Sequence, residues 1–130
     1  MKKIVAGLGL LACTLFADLK WVEFDAALEE AQKTNKLVMV MLSREDCPAC
    51  EYMKDIVFED AKVESEIAQN FIPVYLDIHN DFIPDGLPYI GTPTFHFMNA
   101  HEIKKGRIDG GMNVKDFMQE LENAKANHKK

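Results

Sequence analysis

The stretch Ser43-Arg-Glu-Asp-Cys-Pro-Ala-Cys-Glu-Tyr-Met-Lys54 places two cysteines around a Pro-Ala pair. Six continuous apolar residues, Leu37 to Leu42, precede it. A run of that kind fits a strand covered on both faces of a mostly parallel sheet. Met53, Ile56 and Val57 then form an apolar stripe, so the cysteines fall where a central strand gives way to a helix. A pair in this setting can grip a metal, close a structural bridge or exchange electrons.

The rest of the chain supplies one domain around this junction. At 130 residues, 48% of them hydrophobic, it suffices for a single core and is too short for two. Phe24, Ala27, Leu28 and Ala31 recur at helical spacing behind Asp25, a candidate N-cap, up to about Lys36. A short helix is expected from about Asp60 to Gln69, with Val63 and Ile67 inward. The strand Phe71–Ile78 contains Pro73, which lacks an N–H and so belongs at a sheet edge. Residues 79–92 read as loop. Thr94–Met98 and the segment from Glu102 read as an antiparallel hairpin turning at Asn99–His101, and Val114, Phe117, Met118 and Leu121 as a last helix before a frayed tail, Asn127–Lys130. Alternating elements followed by a hairpin predict an α/β fold with a mixed sheet between helices.

Composition narrows the partners. Fifteen basic against 21 acidic residues give a formal charge of −6, which argues against nucleic acid. Lys2 and Lys3, the 13-residue apolar run Ile4–Phe16 and the small Ala17 read as a signal peptide over residues 1–17, with the domain at 18–130. The run is shorter than the roughly 20 residues of a membrane span. Loss of Lys2 and Lys3 takes the charge from −6 to −8. Leu-Leu-Ala-Cys13 partly matches a lipobox, so a lipid anchor at Cys13 is the lesser reading. Export leaves Cys47 and Cys50 in a compartment where disulfides persist.

Together, the segments Trp21–Lys54, Phe71–Ile78, Gly91–Asn99 and Asp109–Leu121 resemble periplasmic thioredoxin-like proteins. Within that superfamily they are most similar to small exported members and to the C-terminal domain of the bacterial transmembrane disulfide reductase. The resemblance implies a thioredoxin fold, with a four- to five-stranded mixed sheet, core order 4-3-1-2, strand three antiparallel, and helices on both faces. It implies a cis Pro93, Cys47 as attacking thiol and Cys50 as resolving thiol. Pro48 and Ala49, Thr92-Pro93 and Gly110-Gly111 would line the groove for substrate backbone. No organic cofactor and no metal is implied. The partners would be thiols and disulfides of exported proteins, apocytochromes among them, with a membrane-bound or periplasmic electron donor.

Local chemistry agrees with these roles. If Pro48 opens the helix, Cys47 is its N-cap, and a thiolate there meets unpaired N–H groups and the positive end of the dipole, worth about 0.3–1 kcal/mol. That sulfur is expected to be reachable from solvent. Strong oxidants of the superfamily carry a histidine between the cysteines, where this chain has Pro48 and Ala49. Glu45 and Asp46 stand where the family commonly has an aromatic residue before the first cysteine, and a carboxylate about 7 Å away would disfavour the thiolate by ~1 kcal/mol at a dielectric of about 40. Withholding stabilisation from the reduced form favours reduction or isomerisation over oxidation. The buried Asp that thioredoxins carry six residues before the first cysteine is here Met41.

Other readings of the same residues are blander. A four-residue bridge constrains little of the unfolded chain. No second pair of ligands completes a zinc site, whereas copper(I) accepts two thiolates, so a copper(I) or thiol carrier is the rival function. His79, His96, His101 and His128 are scattered and read as noncatalytic, His96 packing in its strand. Met39, Met41 and Met53 read as core filler, Tyr52 as helix surface and Lys54 as solvated.

Overall fold

The computed structural model describes residues 19–130, so the signal-peptide and Cys13 readings lie outside the described residues. Helix α1 (Phe24–Thr34) leads into β1 (Leu37–Ser43), followed by α2 (Pro48–Tyr52), a π-helical turn (Met53–Val57) and α3 (Ala61–Asn70). Strands β2 (Phe71–Asp77), β3 (Thr94–Met98) and β4 (Lys104–Asp109) precede α4 (Val114–His128). The four strands lie in the order β2-β1-β3-β4, with β1 parallel to β2 and antiparallel to β3, and β3 antiparallel to β4. This is the thioredoxin order and direction that the resemblance implied, with four strands.

Every residue of β1 is buried, because helices cover both faces of the sheet. On one face Val38, Val40 and Leu42 pack with Phe24, Ala27 and Ala31 of α1 and with Ile72 and Val74 of β2. On the other, Leu37, Met39 and Met41 meet Met53, Val57, Val63, Ile67, Phe117 and Leu121, from the helices that follow. The three methionines are fully buried filler, as expected. The rings of Phe58, Phe95 and Phe117 stack edge-on or tilted within 5.2 to 6.2 Å at the centre of this second core.

β2 is the edge strand that Pro73 requires. Pro73 pairs in register with Met39, and its carbonyl accepts from Val22 N–H at 2.9 Å on the outer side. Since N–H and C=O of one strand residue point the same way, the missing donor of Pro73 also faces outward and costs β1 no bond.

The structure corrects several boundaries. The N-cap of α1 is Glu23, and Asp25 sits in the first turn, because Phe24 must enter the helix to reach the core. Ile56 is 53% exposed and leaves the predicted apolar stripe. Phe58 N–H donates to Met53 O, five residues back, at 2.8 Å; this wider turn keeps Met53 and Val57 inward and swings Ile56 out. β4 begins at Lys104, two residues late, since Asn99 Oδ1 holds the His101 and Ile103 amides in a longer turn. The tail is not frayed: α4 continues to His128, Asn127 exchanges hydrogen bonds with Lys105 at 2.9 and 3.3 Å, and His128 Nε2 reaches Asn35 O.

Phe117→Ala should cost about 3–5 kcal/mol, because the ring is fully buried between two others. Ile56→Ala should cost less than about 0.5 kcal/mol. Urea unfolding of the two variants checks the assignment, and equal losses would contradict the turn geometry.

Candidate active site

At the end of β1 the chain turns through Arg44, Glu45 and Asp46, the last at φ +55°, before entering α2. A left-handed residue here is tolerated best by Asn, Asp or Gly, which accounts for an aspartate at position 46. Arg44 Nη1 donates to the carbonyls of Glu45 at 3.0 Å and Asp46 at 2.7 Å and so holds the turn closed. Pro48 is the first residue of α2 and Cys47 its N-cap, as the sequence predicts.

Cys47 and Cys50 are joined by a disulfide, their Cα atoms 5.2 Å apart. Cys47 Sγ accepts the Cys50 N–H at 3.2 Å and the Thr92 hydroxyl donates to it at 3.3 Å. The Thr92 carbonyl lies 3.6 Å from the same sulfur and can accept from it only when the sulfur carries a proton. The expected solvent-reachable sulfur is corrected: Cys47 is 2% exposed, because Thr92 leans over it, and Cys50 is fully buried.

The residues of the expected groove converge. Thr92-Pro93 is a cis peptide. Gly110 N–H donates to Pro93 O at 2.8 Å, and a Cβ on Gly111 would sit 3.5 Å from the Ala49 carbonyl and 3.6 Å from Met53 Cγ. Met112 N–H donates to Met53 Sδ at 3.5 Å, so the glycine pair is pinned to the helix behind the cysteines and that thioether is engaged within the protein. Gly110 has φ +99° and needs glycine for its conformation.

Glu45 and Asp46 do not join this cluster. Both are exposed, and among the described residues neither carboxylate enters a hydrogen bond or ion pair. The guanidinium of Arg44 shares their turn, so the negative charge beside Cys47 is smaller than two carboxylates imply. Arg44 escaped the sequence reading; a basic residue directly ahead of two acidic ones was the available signal. Met41 and Ser43 occupy alternate positions on the cysteine side of β1, and the Ser43 hydroxyl is buried without a partner among the described residues. That face therefore carries a thioether and a hydroxyl where a thioredoxin has its carboxylate.

Lys54 is partly exposed, its Nζ 5.2 Å from the Tyr75 ring centre and 3.5 Å from Glu51. Burial works to lower its pKa, but Tyr75 and Glu51 outweigh it and the ammonium titrates above its ordinary value. His96 is buried, its Nε2 2.7 Å from Pro88 O and its Nδ1 3.3 Å from Lys104 Nζ. A carbonyl can only accept, so Nε2 carries the hydrogen and Nδ1 accepts from Lys104. Burial depresses the imidazole's pKa despite the Pro88 bond, and the charges of Lys104 and Arg107 add to that, against a smaller opposite effect of Asp109.

Among the described residues no group of three or more His, Cys, Asp or Glu side chains could hold a metal ion, and no helix is long and apolar enough to cross a membrane.

The chain belongs to the thioredoxin-like domain family, whose model matches residues 24–125. It is 32% identical over 121 residues to the thiol:disulfide interchange protein DsbD of Yersinia enterocolitica, an alignment covering 87% of this chain and 20% of that one. The chain thus spans about one-fifth of the length of the curated relatives it matches. A thioredoxin from Thermus thermophilus superposes with a TM-score of 0.71 at 27% identity, covering 86% of this chain and 91% of that one. The oxidised C-terminal domain of DsbD from Neisseria meningitidis gives 0.55 at 18% identity, covering 83% and 99%, and supports the fold alone.

Two measurements probe this geometry. Gly110→Ala should cost about 1–2 kcal/mol through its backbone and Gly111→Ala, whose methyl makes ordinary contacts, less than about 0.5 kcal/mol; equal costs would argue against the turn at 110. His96 is easier to protonate unfolded, near its ordinary value of 6.5, than folded, so stability present above that pH is lost as pH falls below it. The melting temperature should drop as pH falls below about 6.5, and His96→Gln, which keeps a donor for Pro88 O, should flatten that slope. An unchanged slope would assign the acid sensitivity elsewhere.

Proposed function

We propose that this chain is an exported, periplasmic thiol-disulfide oxidoreductase that reduces or isomerises disulfides in other exported proteins. The observation that carries this reading is the sulfur of Cys47 at the N-cap of α2, bonded to Cys50 and hydrogen-bonded by the Cys50 amide and the Thr92 hydroxyl. Both donors remain in place for a thiolate, and a charged acceptor draws more from them than a neutral sulfur does. Membership of the thioredoxin-like family and the similarity to DsbD support the same chemistry.

The cycle starts from the dithiol. The Cys47 thiolate bonds to one sulfur of a partner disulfide, and the other partner sulfur leaves as a thiolate that takes up a proton. Cys50 loses its proton and attacks Cys47 Sγ, which forms the intramolecular bridge and releases the first partner sulfur. Two electrons have passed to the partner, and a periplasmic or membrane-bound dithiol donor must return them. With Met41 and Ser43 on the cysteine face, water or the leaving partner thiolate takes the Cys50 proton. Pro48 and Ala49 shape the groove floor, and Thr92, Pro93, Gly110 and Gly111 its walls, for the partner backbone. Glu45 and Asp46 bias the couple towards reduction, with Arg44 moderating their effect.

Insulin reduction with dithiothreitol as donor tests the activity. Wild type should turn over, Cys47→Ser should lose at least about a thousandfold, and Cys50→Ser should accumulate a mixed disulfide with the partner. An inactive wild type that binds copper(I) stoichiometrically would establish the carrier instead. A couple with a potential near that of glutathione or lower fits the reducing direction; one far above it overturns that direction. In cells, an N-terminus at Asp18 in the periplasmic fraction is the expected product of export.

A further inference from the structure

The loop that delivers Thr92 to the disulfide is built inside out. Leu87 is buried, and the next four residues are held from beneath by two side chains of β3: His96 donates to Pro88 O at 2.7 Å and the Thr94 hydroxyl to Gly91 O at 2.7 Å. Thr94 and His96 are two apart, hence on one face of the strand, and both are 1% exposed. Polar groups thus occupy the hidden side of the loop. Between the two tethered carbonyls stand Tyr89, 40% exposed, and Ile90, 89% exposed. A single apolar side chain on a surface needs no explanation, and Ile56 and Ile103 are of that kind. Two adjacent ones on a short segment fixed at both ends differ, because the fixing has been spent on presenting them.

Position gives the pair its meaning. Ile90 precedes Thr92 by two residues, so their Cα atoms are at most about 7.6 Å apart, and Thr92 touches Cys47 Sγ. The exposed pair therefore begins two residues along the chain from the group that touches the reactive sulfur.

We infer that Tyr89 and Ile90 are specificity-determining residues that select partner segments carrying a large apolar side chain beside the target cysteine. The inference rests on the oxidoreductase reading and adds the substrate class to it. Because the loop is tethered before the partner arrives, little ordering is needed on binding, and the apolar contact is expressed as affinity. Residues bearing on the sulfur's own chemistry, Thr92 and the Cys50 amide, lie on the other side of Gly91 and are left untouched by changes at position 90.

Two bridged peptides, identical except for Leu or Ser next to the first cysteine, test the idea, with hydroxyethyl disulfide as a reference that has no side chain to reach the loop. Rates of reduction by the dithiol form are compared. Wild type should reduce the Leu peptide about five- to tenfold faster than the Ser peptide, each rate taken relative to hydroxyethyl disulfide, and Ile90→Ser should bring that preference close to one. Tyr89→Ser should weaken it less, in line with its smaller exposure. Circular dichroism and the melting temperature show whether the variants keep the fold. A wild type that reduces all three without preference, or a preference that survives Ile90→Ser, overturns the inference while leaving the proposed function intact. A wild type inactive on all three overturns both.

Discussion

A single amide pointing at a single sulfur organises the molecule: the N–H of Cys50 directed at Cys47 Sγ over 3.2 Å. That contact requires a helix starting at residue 48, a strand ending at residue 43, and a turn tight enough to join them in four residues. The strand end is fixed by burial, since every residue of β1 is buried and its alternate side chains enter the two cores. Sliding it by one residue would exchange Met39 and Met41 with Val38 and Val40 and repack both cores at once. The helix start is fixed by Pro48, which cannot sit later in a helix without breaking it. Between the two, Arg44 ties off the carbonyls of Glu45 and Asp46, and Asp46 accepts a left-handed backbone. The sulfur is therefore placed by packing, at a distance, and by few contacts of its own.

Sequence periodicity reveals this scaffold well for a physical reason. β1 is apolar from Leu37 to Leu42 because both its faces are covered, and Pro73 marks an edge because a proline lacks the donor an inner strand must supply. The antiparallel hairpin of β3 and β4 follows from a short polar turn. The strand order came from resemblance rather than from any pattern in the residues, and the sheet reproduces it. What escaped depends on hydrogen bonds that no period encodes. The π-helical turn displaces Ile56 through one bond between residues 53 and 58. The end of α4 is held by Asn127 and His128, whose partners, Lys105 and Asn35, are 22 and 93 positions away. Polar residues in a terminal segment look like a tail until their distant acceptors are known.

The candidate site was legible in its residues and less so in its environment. Cysteines flanking Pro48 identify a helix N-cap from local rules alone, and the structure brings Thr92 to Cys47, Gly110 to Pro93 and Gly111 to Ala49. Exposure was misjudged because Thr92, 45 positions away, covers Cys47 with its side chain and approaches it with its carbonyl. The local charge includes, beside the two carboxylates of Glu45 and Asp46, the guanidinium of Arg44, which donates to the backbone carbonyls of both residues. The contact of Thr92 was hidden because a linear sequence shows which groups are adjacent along the chain and not which are adjacent through space; Arg44 was in plain view, and what the sequence did not show is that it closes the turn.

A buried sulfur that must react imposes a last constraint. With Cys47 2% exposed, an incoming disulfide cannot reach it along an arbitrary line. In the proposed oxidoreductase the approach would run between Pro48 and Ala49, Thr92 and Pro93, and Gly110 and Gly111. Walls of this kind have little capacity to discriminate one partner from another, since they offer main chain and few distinctive groups. Discrimination must come from the rim beyond them. There the charged lead-in turn lies on one element and the tethered Tyr89-Ile90 pair on another, and the proposed roles assign reactivity to the first and selection to the second. The polar side chains of β3, which would otherwise be a liability in a buried strand, find their partners in the loop that bears this pair, Thr94 at Gly91 O and His96 at Pro88 O.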